Sequence, residues 1–169
     1  MQRRSALHHA EALYSDDGNY RYDLLWRWGE GRLLVGWLLN PSVATEVVLD
    51  KSVSRIMLEA DRLGLSGFRI INLFAYRSTD PTAVPAEPAD VRETNERITL
   101  KVLKEAAGDG SPVVAGWGEG GRHRQTWALD VAKRANVSLL RFGDLTTRYQ
   151  SPRHPSRLGH DQRLMIWSY

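Results

Sequence analysis

Four short blocks carry the residues best able to do chemistry: Asn40-Pro41-Ser42, Asn72, Gly116-Trp117-Gly118 and His154-Pro155-Ser156. Between them they supply two carboxamides that donate and accept, an imidazole that titrates near neutrality, and hydroxyls that can meet an anion. Asn72 stands apart because it lies inside the apolar run Phe68 to Leu73, where a carboxamide left unpaired costs about 1–3 kcal/mol. Each block also has a purely structural explanation. Asn-Pro commonly starts a turn, Gly-Trp-Gly permits close packing at a strand exit with Trp117 as core, and His154 between Arg153 and Pro155 reads equally as a surface-loop residue. The 169 residues include no cysteine, which removes disulfides, thiolate nucleophiles, cysteine-ligated zinc and iron–sulfur clusters.

The elements that must position these blocks follow from periodicity. Residues Arg21 to Trp28 and Arg32 to Leu39 are β-favouring runs separated by Gly29-Glu30-Gly31, which predicts a β-hairpin. Ser52 to Leu63 has apolar residues at 53, 56, 57, 60 and 63, the spacing of a helix that Gly64 ends. Phe68 to Leu73 reads as a strand buried on both faces, and after the proline-rich stretch Ser78 to Pro88 a helix is expected from Ala89 to Ala106. Val113 to Gly116, a helix over 121–135, and Val137 to Phe142 complete the pattern.

Strands alternating with helices predict a single α/β domain over 1–169: a three-layer sandwich with a central, mostly parallel four-stranded sheet, an added N-terminal hairpin strand, and an irregular or mobile segment at 1–18. In such a sheet ligands bind beyond the carboxyl ends of the strands, where all four blocks would fall.

The charge balance, 23 Lys+Arg against 20 Asp+Glu, gives only +3 and does not by itself indicate a polyanionic partner. Its distribution is uneven: Arg141, Arg148, Arg153, Arg157 and Arg163 face only Asp144 and Asp161 in the last quarter, a phosphate-facing edge or a solvated basic surface. No apolar window approaches the roughly 18 residues of a membrane helix, and the first residues lack a signal peptide's apolar stretch. The expectation is a cytoplasmic monomer with no membrane partner. No Walker loop, dinucleotide fingerprint, nucleophile elbow or zincin helix is present, so no cofactor or metal is expected.

Taken together, Leu39-Asn40-Pro41-Ser42, Asp50, the run Asn72 to Pro81 (NLFAYRSTDP), Asn95, Gly116-Trp117-Gly118 and Pro152-Arg153-His154-Pro155 resemble the domain of unknown function 1643 family, from about Arg21 to about Gly159. That family's last block usually continues as HPLY, where this chain has His154-Pro155-Ser156-Arg157. More remotely, the order of the blocks resembles the uracil-DNA glycosylase superfamily, with Ser42 in place of the glycine of an Asn-Pro-Gly motif.

The remote resemblance implies a DNA glycosylase-like hydrolase that cleaves the N-glycosidic bond of a modified or damaged base and leaves an abasic site. Asn40 would orient the attacking water, His154 would donate to the anion developing on the base, and Asn72 would read the base edge. Phe74, Tyr76 and Trp117 are candidate platforms for a flipped base. Arg77, Arg122, Arg153 and Arg157 would meet phosphates, with Ser42 and Ser156 as hydroxyl donors. Asp50 either caps the helix opening at Ser52 or enters the crevice as the general base that an amide cannot be. The partner would be DNA, with RNA or a free nucleotide as alternatives. A catalytically inactive nucleic-acid-binding module, or a nucleotide-binding protein using the same crevice, are the rival readings.

Overall fold

The computed structural model describes residues 9–80, 85–159 and 161–169. Among these, seven strands form one mixed sheet: β1 (His9–Tyr14), β2 (Arg21–Arg27), β3 (Leu34–Leu38), β4 (Gly67–Asn72), β5 (Val113–Gly116), β6 (Leu139–Phe142) and β7 (Leu164–Trp167), in the spatial order β1-β2-β4-β3-β5-β6-β7. The central four, β4-β3-β5-β6, are parallel; β2 and β7 flank them antiparallel, and β1 pairs antiparallel with β2 at the edge. The helices are α1 (Lys51–Arg62), α2 (Ala89–Asp109) and α3 (Gln125–Ala135), the last preceded by a 3-10 stretch at Glu119–Arg124. No described helix is long and apolar enough to cross a membrane.

The expected hairpin between the runs at 21 and 32 does not form, because β4 is inserted between β2 and β3. Burial explains it. All five residues of β3 are buried, and a strand apolar on both faces belongs in the middle of a sheet, whereas β2 carries Arg21, Asp23 and Arg27 and sits nearer the edge. The hairpin partner of β2 is β1, drawn from residues expected to be irregular: Ala10, Ala12 and Tyr14 are half-buried while His9, Glu11 and Leu13 are exposed. The predicted four parallel strands are therefore the centre of a wider sheet.

Helix α1 covers one face, packing Val53, Ile56 and Ala60 against Leu34, Leu38, Phe68 and Ile70. It lies close: a β-carbon at Gly36 would come within 3.0 Å of Ile70 Cδ1 and 3.2 Å of Ile56 Cγ1. Helices α2 and α3 cover the other face, burying Trp37, Ile71, Leu73, Val102, Leu103 and Trp117. The result is helix, sheet and helix in three layers, with one helix on one side and two on the other.

One irregularity matters for the site. The β1–β2 register pairs Leu13 with Asp23 and Tyr14 with Arg21, so Tyr22 is an extra residue, a β-bulge. Side chains alternate faces along a strand, and an extra residue reverses the alternation beyond it. Tyr22 accordingly joins the α2/α3-side core, while Arg21 turns to the α1 side beside Asn72.

Candidate functional site

Period-two alternation sorts the strand ends by face. Leu38 in β3 and Phe68 and Ile70 in β4 face α1, and the same parity carries Asn40 and Asn72 to that side. Val113, Ala115 and Trp117 face α2 and α3, while Gly116 and Gly118 clear the α1 side at the end of β5. The segment Pro152–Ser156 fills that clearing. A β-carbon at Gly116 would meet Pro155 Cδ at 3.0 Å and one at Gly118 would meet His154 Cβ at 3.1 Å, and the Gly118 amide donates to the Pro152 carbonyl at 2.9 Å. Gly118 also has φ +68°, a conformation that favours glycine.

The Asn40 amide nitrogen donates to the Pro41 and Ser78 carbonyls at 3.0 and 2.9 Å, which fixes the carboxamide and leaves Oδ1 without a partner among the described residues. Asn72 is 1% exposed; its Oδ1 accepts from Arg21 Nη2 at 3.4 Å, and its Nδ2 has no partner. Behind it, Asn95 of α2 donates to the Asn72 and Leu73 carbonyls at 3.1 and 3.3 Å, so the end of β4 is held from the opposite face.

Asp50 is the α1 N-cap: its Oδ1 accepts from the Val53 amide at 2.9 Å. The same carboxylate acts electrostatically on both Arg21 and His154. His154 Nδ1 accepts from the Ser156 amide at 3.3 Å, with the Ser156 hydroxyl 2.8 Å away, which puts the neutral ring's proton on Nε2. Burial, partly offset by Asp50, pushes the imidazole down to about 4, so it is uncharged at neutral pH.

Arg21, the residue that sequence reasoning missed, is 1% exposed and reaches the Ala44 carbonyl through Nη1 at 2.5 Å. Its burial lowers its pKa to about 10. Other contacts from β1 and β2 hold the same 41–50 loop: Trp26 donates to the Thr45 carbonyl at 3.2 Å, and the Tyr14 hydroxyl to Glu46 at 3.0 Å. Arg77 lies over the Tyr14 ring, 5.1 Å from its centroid, and donates to the Gly18 carbonyl at 2.9 Å. Ser42, Val43, Arg77, Ser78 and Asn19 line a cleft of about 450 Å³ here.

The other expected residues lie elsewhere. Trp117 is corrected as a base platform: it is fully buried, edge-on to Trp37 at 5.6 Å, with its indole N–H given to Gln125 at 3.2 Å. A ring with no open face receives nothing. Phe74 packs against the α2/α3-side core under Arg124, and Tyr76 stands edge-to-face with Tyr20 at 5.7 Å. The backbone at 75–76 is pinned by buried Glu87, whose Oε1 accepts from the Ala75 and Tyr76 amides; burial raises that carboxyl's pKa. Arg122, Arg153 and Arg157 are exposed: Arg122 lies over Tyr149, and Arg153 donates to the Asp144 carbonyl at 2.9 Å. A second cavity, about 380 Å³, opens at the other end of the sheet among Arg32, Leu63, Pro112, Leu140 and Ile166, away from the expected site residues. Among the described residues no cluster of three histidines or carboxylates has the placement of metal ligands.

No curated protein matches the chain. Residues 21–156, from the buried arginine to the serine beside His154, match the family described as Protein of unknown function (DUF1643), and the chain belongs to that family.

Proposed function

We propose that this protein is an N-glycoside hydrolase that takes a modified nucleobase into the α1-side crevice and releases it from its sugar, with a fold of the uracil-DNA glycosylase kind. One observation carries the reading: Asn40, Asp50, Asn72 and His154, far apart in sequence, lie towards the α1 side at the carboxyl ends of β3, β4 and β5, and each keeps an atom with no hydrogen-bond partner among the described residues.

The chemistry follows from those atoms. Asn40 Oδ1 accepts from a water and aims its oxygen at the anomeric carbon; the Asp50 carboxylate takes the proton through Oδ2, which no described residue occupies. As the glycosidic bond breaks, its electron pair stays on the base nitrogen, and the His154 Nε2–H donates to the anion that forms. A neutral imidazole serves that role without needing to be charged first. Asn72 has its oxygen taken by Arg21, so it offers a donor and selects a base that presents a carbonyl.

A second reading, binding without turnover, draws support from Asp50, since one of its oxygens already caps α1. The two separate in one assay. Oligonucleotides and nucleotides bearing varied modified bases are incubated with the protein, and free base and alkali-labile abasic sites are measured. Release that disappears in Asp50→Asn and His154→Ala supports hydrolysis; saturable binding of the same compounds with no base released overturns it in favour of the second reading.

A further inference from the structure

Two cations at the crevice lack an ion-pair partner. Neither Arg21 nor Arg77 has a carboxylate within 4 Å among the described residues, although six other described arginine, lysine or histidine side chains do pair with acids. The two guanidiniums repel each other electrostatically. Their Nε atoms are buried and without partners, as is Asn72 Nδ2, so three N–H donors gather with no acceptor. Burying a charge without a counter-charge is costly, and an arrangement that does so twice in one place is balanced when an anion arrives. Of the acids that act on Arg21, Asp23 is paired with Arg69 and Asp50 stands beyond 4 Å at the start of α1, so no carboxylate is in contact with either guanidinium.

We infer that Arg77, with Arg21 behind it and Ser42 across the cleft, forms a phosphate site, and that the phosphate is the terminal one of a mononucleotide. This rests on the N-glycoside reading and names its substrate class. Two guanidiniums match a dianionic phosphomonoester better than the single charge of a phosphodiester. Arg21 does not line the cleft and acts from behind Arg77, adding to the positive potential that a doubly charged terminal phosphate meets there. The exposed Arg122, Arg153 and Arg157 take no part.

Calorimetric titration of the full chain at low salt tests this with inorganic phosphate, a nucleoside 5′-monophosphate, its nucleoside, and a trinucleotide without terminal phosphates. Phosphate should bind saturably, and the nucleotide at least about 10-fold more tightly than the nucleoside. Arg77→Met should remove that advantage and leave nucleoside binding unchanged, while Arg77→Lys should keep part of it. Equal affinity for nucleotide and nucleoside overturns the site, a comparison that needs no variant. Equal binding of the trinucleotide overturns its terminal character. Phosphate binding without base release sinks only the hydrolase reading, and base release without phosphate discrimination sinks only this inference.

Discussion

The two faces of the sheet are built differently. The α2/α3 face is roofed by two helices and closed by indoles: Trp37 meets Trp117 at 5.6 Å and Trp127 at 5.9 Å, both edge-on. The α1 face has one helix of 12 residues, which covers Phe68 and Ile70 and leaves the carboxyl corner to the 41–50 loop and the Pro152–Ser156 segment. Unpaired polar atoms occur on both sides. Those beneath α2 and α3 include Trp37 Nε1 and Thr99 Oγ1 and atoms of Arg124 and Glu87, which face each other at 4.0 Å, whereas at the α1 corner they belong to Asn72 and to Arg21 and Arg77, which have no acid in contact. Stability is concentrated on the first face, and the second holds polar groups in readiness at some cost to stability.

Substitutions can break that contrast. Trp117→Ala should cost about 3–5 kcal/mol by urea unfolding, because a large buried ring leaves a cavity. Asn72→Leu, which removes an amide already half unpaired, should cost less than about 1.5 kcal/mol and abolish base binding. If Asn72→Leu proves the more destabilising of the two, the division between faces is wrong.

A pH series sharpens it. His154 has a folded pKa of about 4, below the ordinary 6.5, so its contribution to stability is full above 6.5 and is lost as pH falls through that interval. Unfolding measured across pH 7 to 4 should lose up to about 3 kcal/mol from this group, and His154→Gln should flatten that slope. The smallest expected effect separates the two duties of Asp50. Asp50→Ala should lower stability by about 1 kcal/mol and Asp50→Ser should restore most of it, since serine also caps helices, while base release stays absent in both.

The parallel core was legible because its elements are locally patterned. Valine, isoleucine and leucine runs marked β3 to β6, helix spacing marked 52–63 where α1 spans 51–62, and α2 begins at Ala89 as expected. What stayed hidden depends on partners distant in the chain. Strands β1 and β7 are short edges with little buried surface, so alternation in HAEALY or LMIW has no local meaning until a neighbour is known. The order of β2, β4 and β3 is a matter of burial, which adjacency in sequence misreports.

Among the candidate site residues, Asn40, Asn72 and His154 come from asking which polar residues sit at or beside strand exits. Arg21 escaped because nothing about an arginine opening a strand says that it will be buried. Of the two readings of Trp117, core ring and base platform, counting decides for the core: it shares parity with Val113 and Ala115, which assigns it to the closed face.

The bulge at Tyr22 gives the corner an unusual vulnerability. With every residue kept, even pleating through Arg21-Tyr22-Asp23 would swing the Arg21 guanidinium through the sheet to the tryptophan side, whereas deleting Tyr22 would remove the bulge and leave Arg21 facing α1. A related chain that keeps this residue but pairs the two strands in even register would have a crevice with its deepest charge missing, however well the remaining blocks agreed.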